Sequence, residues 1–491
     1  MTSKFSAALK LGDLNDFIAP SQSCIVSLSG SKEKALKLNN GMVEIHQSQK
    51  PAAFNQAKSA SRTDPVKVTL HDCLACSGCI TSAETVMLEH QSVDEFLNQL
   101  EAGKKAVVVS LSPQSRASLA AYYGLTQLQV FKRLTGFLKS IGVKGVFDTS
   151  CSRDLSLIES CEEFIVRYRK NHNQETGSQH DSLPMLASAC PGWICYAEKT
   201  LDADILPHIS SVKSPQQAMG AIMKRHSCHN LDILPEDIYH VTIMPCYDKK
   251  LEASRDDFVF AIERTGDKEQ GSVGPQLTEV DSVLTSGEIV DLLQAKKIDF
   301  RALAEVPLDR MLTNIDEEDH LYGVPGGSGG YAECIFRHAA WTLFGKEFSG
   351  SLEFKILRNA DFREMTLELD GKTMLRFACA YGFRNIQNLV RKIKAGKCEY
   401  HFVEIMACPA GCLNGGGQIK PKKGQSVKDL IQTLESLYLK EMQVRDPYNN
   451  PIAKGLYEKW LEKPGSEKAL DILHTRYHHR EKSVSSQYTN W

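Results

Sequence analysis

From about residue 104 onward, short apolar runs alternate with stretches whose apolar residues recur at helical spacing. Lys105–Leu111 is rich in valine, as buried strands are, and residues 114–123 follow it with a helical pattern. The same pair recurs at Gly145–Thr149 and Arg153–Arg169. Further strand-like runs occupy residues 183–188, 239–244, 280–284 and 400–406. This alternation predicts a largely parallel α/β architecture in which helices flank the sheets.

Two segments depart from that alternation. Asp370-Gly371 joins two strand-like runs, residues 364–369 and 372–378, and therefore predicts a β-hairpin. Residues 31–65 are rich in Ser, Lys, Asn and Gln without clear periodicity, which predicts a loose linker. We therefore expect three parts, namely an N-terminal region, a body and a C-terminal segment, over residues 1–100, 101–425 and 426–491.

The fifteen cysteines are unevenly placed, and three of them stand close together. Cys73, Cys76 and Cys79 are separated by two residues each, a spacing that suits three corners of an iron-sulfur cube and leaves the fourth corner to a remote cysteine. Structural zinc more often takes two separated pairs, so zinc is the less well suited alternative. Cys24, on the far side of the linker, is the nearest free candidate upstream for the fourth corner.

Four other cysteines each follow a strand-like run within about four residues: Cys151, Cys190, Cys246 and Cys408. In an open α/β sheet, ligands gather at the carboxyl ends of the strands, because loops from separate strands converge there. The pattern therefore predicts that thiols from distant parts of the chain meet in space, but it does not determine which of them bind a metal. Six further cysteines are interpreted as small core or surface residues: Cys161, Cys195, Cys228, Cys334, Cys379 and Cys398.

Composition and charge narrow the classes of function. The 491 residues are 42% hydrophobic and 24% charged, which is typical of a globular protein of two or three domains. A formal net charge of −2 gives no electrostatic basis for binding nucleic acid or an anionic membrane. Met1–Lys10 lacks the apolar core of a signal peptide, and no apolar run is long enough to cross a bilayer. We therefore expect the protein in the cytosol or the nucleus, where cysteines favour metal binding or catalysis over disulfides.

Three ordered motifs carry a resemblance to a known family. Ser188–Trp193, Met244–Lys249 and Glu404–Gln418 resemble, in that order, the three H-cluster signatures of iron-only hydrogenases. Val324–Gly330 resembles the glycine-rich segment between the last two. The likeness covers roughly residues 70–480. It implies an iron-only-hydrogenase-like α/β body with parallel sheets, followed by a small-subunit-like helical segment and preceded by a small ferredoxin-like iron-sulfur region.

Within that superfamily, the chain most resembles the cytosolic iron-sulfur assembly factors called iron-only hydrogenase-like or nuclear prelamin A recognition factor-like proteins. In those proteins an N-terminal cysteine joins a C-x-x-C-x-x-C loop to hold a [4Fe-4S] cluster. The corresponding residues here are Cys24, Cys73, Cys76 and Cys79. The resemblance assigns a second [4Fe-4S] cluster to Cys190, Cys246, Cys408 and Cys412. Cys151 matches no ligand of the family.

One departure from the hydrogenase pattern bears on activity. Hydrogenases carry a second cysteine immediately before the ligand in the first motif, where it delivers protons to the binuclear iron site, whereas this chain has Ala189. A methyl group cannot relay a proton, so we expect no hydrogenase activity and a protein that is not an enzyme. Lys249, which in hydrogenases contacts the binuclear subsite, is present together with Met244 and Met406. We interpret the pocket near Lys249 as a retained scaffold, with a site for a different small ligand as the alternative.

A polar tail ends in Trp491. An indole with a free carboxylate suits a partner's pocket, and in the family and its client proteins terminal aromatic residues are associated with docking to the targeting complex. The resemblance therefore implies an assembly factor that passes clusters from a cytosolic scaffold to the targeting complex and to iron-sulfur apoproteins. The alternatives are an iron-sulfur oxidoreductase, against which Ala189 argues, and a nuclear binding protein with structural clusters, which the sequence does not distinguish from an assembly factor.

Overall fold

The computed structural model describes residues 91–172, 182–262, 275–350, 352–440 and 442–479. Outside these residues lie the expected linker and five of the expected functional residues: Cys24, Cys73, Cys76, Cys79 and Trp491. The four expected ligands of the second cluster lie within them.

Strands and helices alternate along most of the described chain. The strands are β1 (Ala106–Leu111), β2 (Gly145–Asp148), β3 (Met185–Ala187), β4 (Ile238–Met244), β5 (Val259–Ala261), β6 (Gln276–Thr278), β7 (Ser282–Thr285), β8 (Leu321–Gly323), β9 (Lys355–Asn359), β10 (Phe362–Leu369), β11 (Lys372–Tyr381), β12 (Phe402–Met406) and β13 (Met442–Val444). The α-helices are α1 (Val93–Ala102), α2 (Pro113–Tyr123), α3 (Gln127–Ser140), α4 (Ser150–His172), α5 (Pro191–Thr200), α6 (Pro215–Ile222), α7 (Cys228–Asn230), α8 (Asp248–Ala253), α9 (Ser286–Ala295), α10 (Tyr331–Phe344), α11 (Phe383–Lys394), α12 (Val427–Lys440), α13 (Pro451–Leu456) and α14 (Glu467–Leu473). The predicted α/β class is confirmed.

Two sheets form the core of the fold. The first has four parallel strands in the order β2-β1-β4-β7. The second has five strands in the order β3-β12-β11-β10-β9, of which β3, β12 and β11 are parallel and the last two antiparallel. The β10–β11 pair is the predicted hairpin, and its turn residues Asp370 and Gly371 have φ of 50° and 74°, as a tight hairpin turn requires.

Helix α4 packs against both sheets. It begins directly after β2 of the first sheet, and β3 of the second sheet follows it in the chain. Its first half packs with Val108 and Phe147 of the first sheet. From its second half, Phe164 contacts Phe377 and Phe402 of the second sheet, with ring centroids 4.9 and 6.0 Å apart. These buried side chains connect the two cores.

Local sequence explains where several helices begin. Before α3 and α9, the hydroxyls of Thr126 and Thr285 accept the N–H of the residue three positions on, and the side chains of Gln129 and Glu288 accept the threonine N–H in return. This reciprocal pair satisfies amides that the first helical turn leaves unpaired. None of the helices in the described part of the chain combines the length and the apolar character that crossing a membrane requires.

The carboxyl ends of three strands meet between the sheets. β4 of the first sheet ends shortly before Cys246, and β3 and β12 of the second sheet end shortly before Cys190 and Cys408. Loops that leave strand ends in this way are free to vary while the sheets hold them in place. The fold therefore directs three cysteines from distant parts of the sequence into one space.

Candidate metal centre

Cys190 lies at the N-terminus of helix α5. Its own N–H donates to the Ser188 hydroxyl at 3.0 Å, and Pro191 starts the helix. The amide N–H of Ala407, in the loop after β12, donates to Cys190 Sγ at 3.5 Å. A thiolate at Cys190 gains from that N–H and from the positive end of the helix dipole.

Cys246 lies across the same space, after β4 of the first sheet. Its thiol lies 3.5 Å from Asp248 Oδ2, at the start of α8. A glycine run packs against this segment: the Gly417 N–H donates to the Pro245 carbonyl at 2.9 Å, and a Cβ at Gly415 would lie 2.3 Å from that oxygen. The run is therefore needed for close backbone packing beside Cys246.

Cys408 and Cys412 occupy the loop that follows β12. The chain turns there through Ala410 and Gly411, whose φ values are 57° and 74°. The hydroxyl of Ser328, in the glycine-rich segment before α10, accepts the N–H of Cys412 at 3.0 Å. Sequence reasoning missed Ser328, although its position in a glycine-rich segment was a signal that backbone and side chain approach closely there.

The Gly411→Ala variant should weaken this loop. A Cβ at Gly411 would lie 1.8 Å from Ser328 Oγ and would displace the hydroxyl that accepts the Cys412 N–H. We expect a loss of about 2–4 kcal/mol in the free energy of unfolding, measured by denaturant titration, and less iron after reconstitution.

Gly424→Ala is the matched control for that variant. Gly424 also has a positive φ, 87°, but a Cβ there would meet nothing within 4 Å. This variant should lose only about 1–2 kcal/mol of the free energy of unfolding, which is the cost of placing a Cβ on left-handed backbone, and its iron content should be unchanged. Equal losses of iron in the two variants would contradict a specific role for the contact between Gly411 and Ser328.

Burial and mutual repulsion oppose ionisation of the four thiols. Burial raises the pKa of Cys190, and it raises the pKa values of Cys246 and Cys408 well above their usual range, with Asp248 and the neighbouring thiols adding to the effect. Burial likewise raises the pKa of Cys412 to about 12. Cys190 acts on each of the other three. The four thiols thus share one buried space, where a cationic metal group reverses the balance because ligation removes thiol protons.

The donor set fits a cluster of several irons better than a single ion. All four cysteines are free, and no group of three or more His, Cys, Asp or Glu within the described ranges is arranged to hold one metal ion. In a cubane each thiolate binds a different iron, so the sulfurs stand farther apart than they do around one zinc ion. An N–H directed at a ligand sulfur, as from Ala407 to Cys190, also suits such a cluster.

Lys249 lies beside the thiols, but its ammonium group is already paired. It donates to Glu252 Oε2 at 2.8 Å and to Ser214 Oγ at 3.0 Å. Its positive charge favours ionised thiols and lowers the pKa values of Cys190 and Cys412 against the larger effect of burial. Of the other residues expected near the pocket, Met406 has its Sδ 3.8 Å from Cys412 Sγ, and Ala189 is partly buried against the core of the second sheet.

Cys151 follows a strand end but lies apart from the other cysteines of this pattern. Its thiol is buried with Phe147, and its charged neighbours are Asp154 and Asp148. The strand before it, β2, lies at the edge of the first sheet, with β1 between it and β4. Three of the four strand-end cysteines therefore converge, and Cys412 completes the set of four.

A buried ion pair connects the elements on which Cys190 and Cys246 lie. Arg255 Nη1 and Nη2 donate to the two carboxylate oxygens of Glu198 at 2.9 and 2.7 Å, and the two side chains are 3% and 1% exposed. Glu198 lies on α5, which begins after Cys190, and Arg255 follows α8, which begins near Cys246. No local signal marked this pair, because 57 residues separate its members.

Comparison with known proteins shows the family to which the chain belongs. The family described as "Iron only hydrogenase large subunit, C-terminal domain" matches residues 105–416, and "Iron hydrogenase small subunit" matches residues 429–480. Protein NAR1 of Arabidopsis thaliana is 60% identical over 492 residues, and cytosolic iron-sulfur assembly component 3 of Mus musculus is 47% identical over 500 residues. Each alignment covers 100% of both chains.

Solved structures show the same fold. A variant of apo [FeFe]-hydrogenase HydA1 from Chlamydomonas reinhardtii is 29% identical with a TM-score of 0.65, and the match covers 79% of this chain and 98% of that one. The structure of HydA(deltaEFG), solved in a study of stepwise H-cluster assembly, is 29% identical with a TM-score of 0.66 over the same shares. The chain therefore belongs to the iron-only hydrogenase-like family, together with the proteins named NAR1 and cytosolic iron-sulfur assembly component 3.

Proposed function

We propose that this protein is a component of cytosolic iron-sulfur cluster assembly that holds two [4Fe-4S] clusters and passes cluster to cytosolic and nuclear apoproteins. One observation carries the proposal. Four free thiols share a buried space between two sheets. The chain that holds them is 60% identical to Protein NAR1 and 47% identical to a cytosolic iron-sulfur assembly component, in both cases over its whole length.

In this proposal the central cluster is bound by Cys190, Cys246, Cys408 and Cys412. A bound cubane supplies one iron corner to each thiolate. The chain's own contribution is to hold the sulfurs: α5 stabilises the Cys190 thiolate at its N-terminus, Ser328 fixes the Cys412 amide, and the glycine run lets the backbone close on Cys246. The surrounding body is residues 101–425, and residues 426–491 form the helical segment and tail.

The first cluster in this proposal is bound by Cys24, Cys73, Cys76 and Cys79, within residues 1–100. The first described residue shows where the chain that follows the triplet is attached to the body. Gln91 Nε2 donates to the Lys250 carbonyl at 2.9 Å, and Lys250 Nζ donates to the Gln91 carbonyl at 2.7 Å. These bonds attach Gln91, which follows the triplet in the chain, to the helix that begins after Cys246.

Two features support a role other than hydrogenase. Ala189 cannot relay a proton to a site beside Cys190. The ammonium group of Lys249 is paired with Glu252 and Ser214, so its charge is already compensated within the chain. We infer that the pocket beside the central cluster is a scaffold retained from the hydrogenase fold.

Burial suggests which cluster is delivered. Cys190 and Cys408 are each only 8% exposed, while Cys246 and Cys412 are partly exposed, and the two buried ligands slow exchange with an acceptor. The central cluster therefore acts structurally or as a reservoir, and the N-terminal cluster is the one transferred. Isotopically labelled iron placed in the holoprotein should leave first from the N-terminal site, and earlier loss from the central site would reverse this assignment.

The C-terminal tail is the proposed docking element for the targeting complex. The residues before it contact the buried ion pair of Glu198 and Arg255. The His478 N–H donates to Glu198 Oε1 at 3.2 Å, and the Arg255 guanidinium lies 5.6 Å from the centroid of the Tyr477 ring. In this proposal Trp491 fills an aromatic pocket on the partner.

A transfer assay tests the function. Full-length holoprotein carrying labelled iron is mixed with the purified cytosolic targeting complex and a recipient apoprotein that needs a [4Fe-4S] cluster. Label should appear in the recipient. Trp491→Ala should lower the transfer rate at least tenfold with iron content unchanged, and Trp491→Phe should restore most of it. Equal transfer by all three proteins would refute docking through Trp491, and no transfer by any of them would refute delivery. Hydrogen evolution should be absent.

A further inference from the structure

A carboxylate lies inside the candidate metal centre. The Cys246 thiol donates a hydrogen bond to Asp248 Oδ2, with the sulfur and the oxygen 3.5 Å apart. Among the residues that the structure describes, this thiol is the only hydrogen-bond partner of the Asp248 side chain. The neighbouring Lys249 directs its ammonium group to Glu252 and Ser214 instead. Within that part of the chain, the Asp248 carboxylate therefore forms no ion pair.

The sequence leaves room for this carboxylate beside helix α5. A Cβ at Gly192 would lie 2.8 Å from Asp248 Oδ2, so a larger residue at this position would push the carboxylate away. Gly192 belongs to the first turn of α5, which begins directly after Cys190. Asp248 is the first residue of α8, which begins shortly after Cys246. The carboxylate thus lies between the starts of two helices, each of which follows a candidate ligand.

Binding of iron by Cys246 would remove the one hydrogen-bond partner of Asp248. The thiol loses its proton when it binds a metal, and the hydrogen bond to the carboxylate is lost with that proton. A carboxylate and a thiolate 3.5 Å apart repel each other unless a cation lies beside both of them. The iron that Cys246 binds is such a cation, and carboxylate oxygens are ordinary ligands of iron in proteins. The position of Asp248 therefore suits a ligand of that iron.

Cys246 and Asp248 lie on an outer side of the centre. Both residues are partly exposed, and Tyr247 between them is 45% exposed, whereas Cys190 and Cys408 are each only 8% exposed. Water and small competing ligands therefore reach the iron at Cys246 more easily than the iron at either buried thiol. An iron in that position gains most from a second protein ligand.

We propose that Asp248 is a second protein ligand for the iron corner of Cys246 and holds that iron whenever the Cys246 thiolate is not bound to it. This inference rests on the central cluster of the proposed function. In the exchange, the bond from Asp248 Oδ2 to iron breaks while the bond from Cys246 Sγ to iron forms, and the thiol proton passes to solvent. No electron is transferred. Asp248 thereby retains the cluster during its insertion and when the partly exposed thiolate dissociates.

Iron analysis of reconstituted full-length variants tests the second ligand. Cys246→Ala should keep about eight irons per chain, with one oxygen-ligated iron in the Mössbauer spectrum, because Asp248 takes the corner. Cys246→Ala combined with Asp248→Asn should keep only about four irons, those of the N-terminal cluster, because asparagine has the same size but binds iron poorly. Circular dichroism checks that the double variant is folded.

Cys412→Ala is the matched control. Cys412 is the other partly exposed candidate ligand, but its thiol lies 3.8 Å from Met406 Sδ, and no carboxylate in the described ranges accepts a hydrogen bond from it. This variant should lose about four irons whether or not Asp248→Asn is also present. Retention of all irons in Cys412→Ala would show that any missing thiolate is replaced from solvent, which would overturn the proposal.

Cluster retention tests Asp248 when all four cysteines are present. Wild-type and Asp248→Asn holoprotein are challenged with an iron chelator, and the decay of the cluster absorbance is followed. The slower phase, which belongs to the central cluster, should decay at least about threefold faster in Asp248→Asn, because a tethered ligand recaptures iron that the thiolate has released. Equal half-lives would contradict the proposal.

The iron counts also distinguish failure of this ligand from failure of the proposed function. A three-iron cluster in Cys246→Ala, with about seven irons in all, or loss of the whole central cluster in that variant, would show that Asp248 does not hold the corner. Retention of about eight irons in the double variant would show that another ligand replaces the thiolate. About four irons in the wild-type protein would refute the central cluster itself and, with it, any ligand for that cluster.

Discussion

Cys408→Ser should lose roughly half of the iron that the wild-type protein binds, because each of two cubanes holds about four irons. Serine keeps the size of the side chain but is a poor iron ligand, and the remaining thiols would stay in a buried space with raised pKa values. The variant should also lose at least about 3 kcal/mol of apparent stability. A ligand makes a contribution of this size when its free concentration is roughly a hundred times its Kd. Iron analysis and thermal unfolding of reconstituted protein measure both effects.

Cys151→Ala is the matched control for that experiment. Cys151 is also a buried cysteine that follows a parallel strand, but its thiol lies among Phe147, Asp148 and Asp154. Its replacement should leave the iron content at the wild-type value and cost only about 1 kcal/mol for the small cavity. If Cys151→Ala loses iron and Cys408→Ser keeps it, the assignment of the central ligands is wrong.

Arg255→Met should destabilise the fold by about 3–5 kcal/mol, the usual cost of removing one partner from a buried ion pair. Methionine keeps part of the apolar stem of the side chain but removes both guanidinium N–H donors from the buried Glu198 carboxylate, and it also removes the pairing of Arg255 with Asp257. It also removes the pair that connects the helices after Cys190 and Cys246. We therefore expect faster loss of the central cluster to a chelator as well as a lower midpoint of denaturant unfolding.

A double-mutant cycle separates the interaction energy of the ion pair from the effects of changing the size of each side chain. Glu198→Gln with Arg255→Met should destabilise the protein less than the sum of the single variants, since the Glu198 charge is then no longer left buried without the guanidinium. The exposed pair of Lys394 and Asp202 supplies the comparison, and Lys394→Met should change stability little. If the changes in the free energy of unfolding of the two single variants add strictly, the ion pair does not stabilise the centre.

Eight strands of the two main sheets, β1–β4, β7 and β10–β12, were predictable from strand-like runs bounded by turn residues. β9 was not predicted because its residues are exposed, and β5, β6, β8 and β13 were not predicted because each is only three residues long. Val107–Val109 and the run before Cys246 have the apolar, β-branched character of strands buried on both faces, and the hairpin at Asp370-Gly371 follows from the positive φ that such a turn needs. The rule that parallel strands direct their carboxyl ends to one edge accounts for the meeting of Cys190 and Cys408, because β3 and β12 are neighbours in the second sheet, whereas Cys246 reaches them from the first sheet.

Other features depend on contacts between distant parts of the chain. Sequence pattern alone does not tell that the strands divide over two sheets, and so it could not separate Cys151 from the cysteines that converge. In the order β2-β1-β4-β7, the strand that precedes Cys151 lies at the edge of the sheet, so Cys151 lies away from the centre. The pairing of Arg255 with Glu198 arises only when α5 packs beside the segment that follows α8, and no local periodicity encodes such a pair.

Anaerobic reconstitution of the full-length protein, followed by iron and sulfide counting and Mössbauer spectroscopy, tests the central claim most directly. We expect about eight irons and about eight sulfides per chain, with spectra of two [4Fe-4S] clusters. Tightly bound zinc, or about four irons in a single cluster, would contradict it.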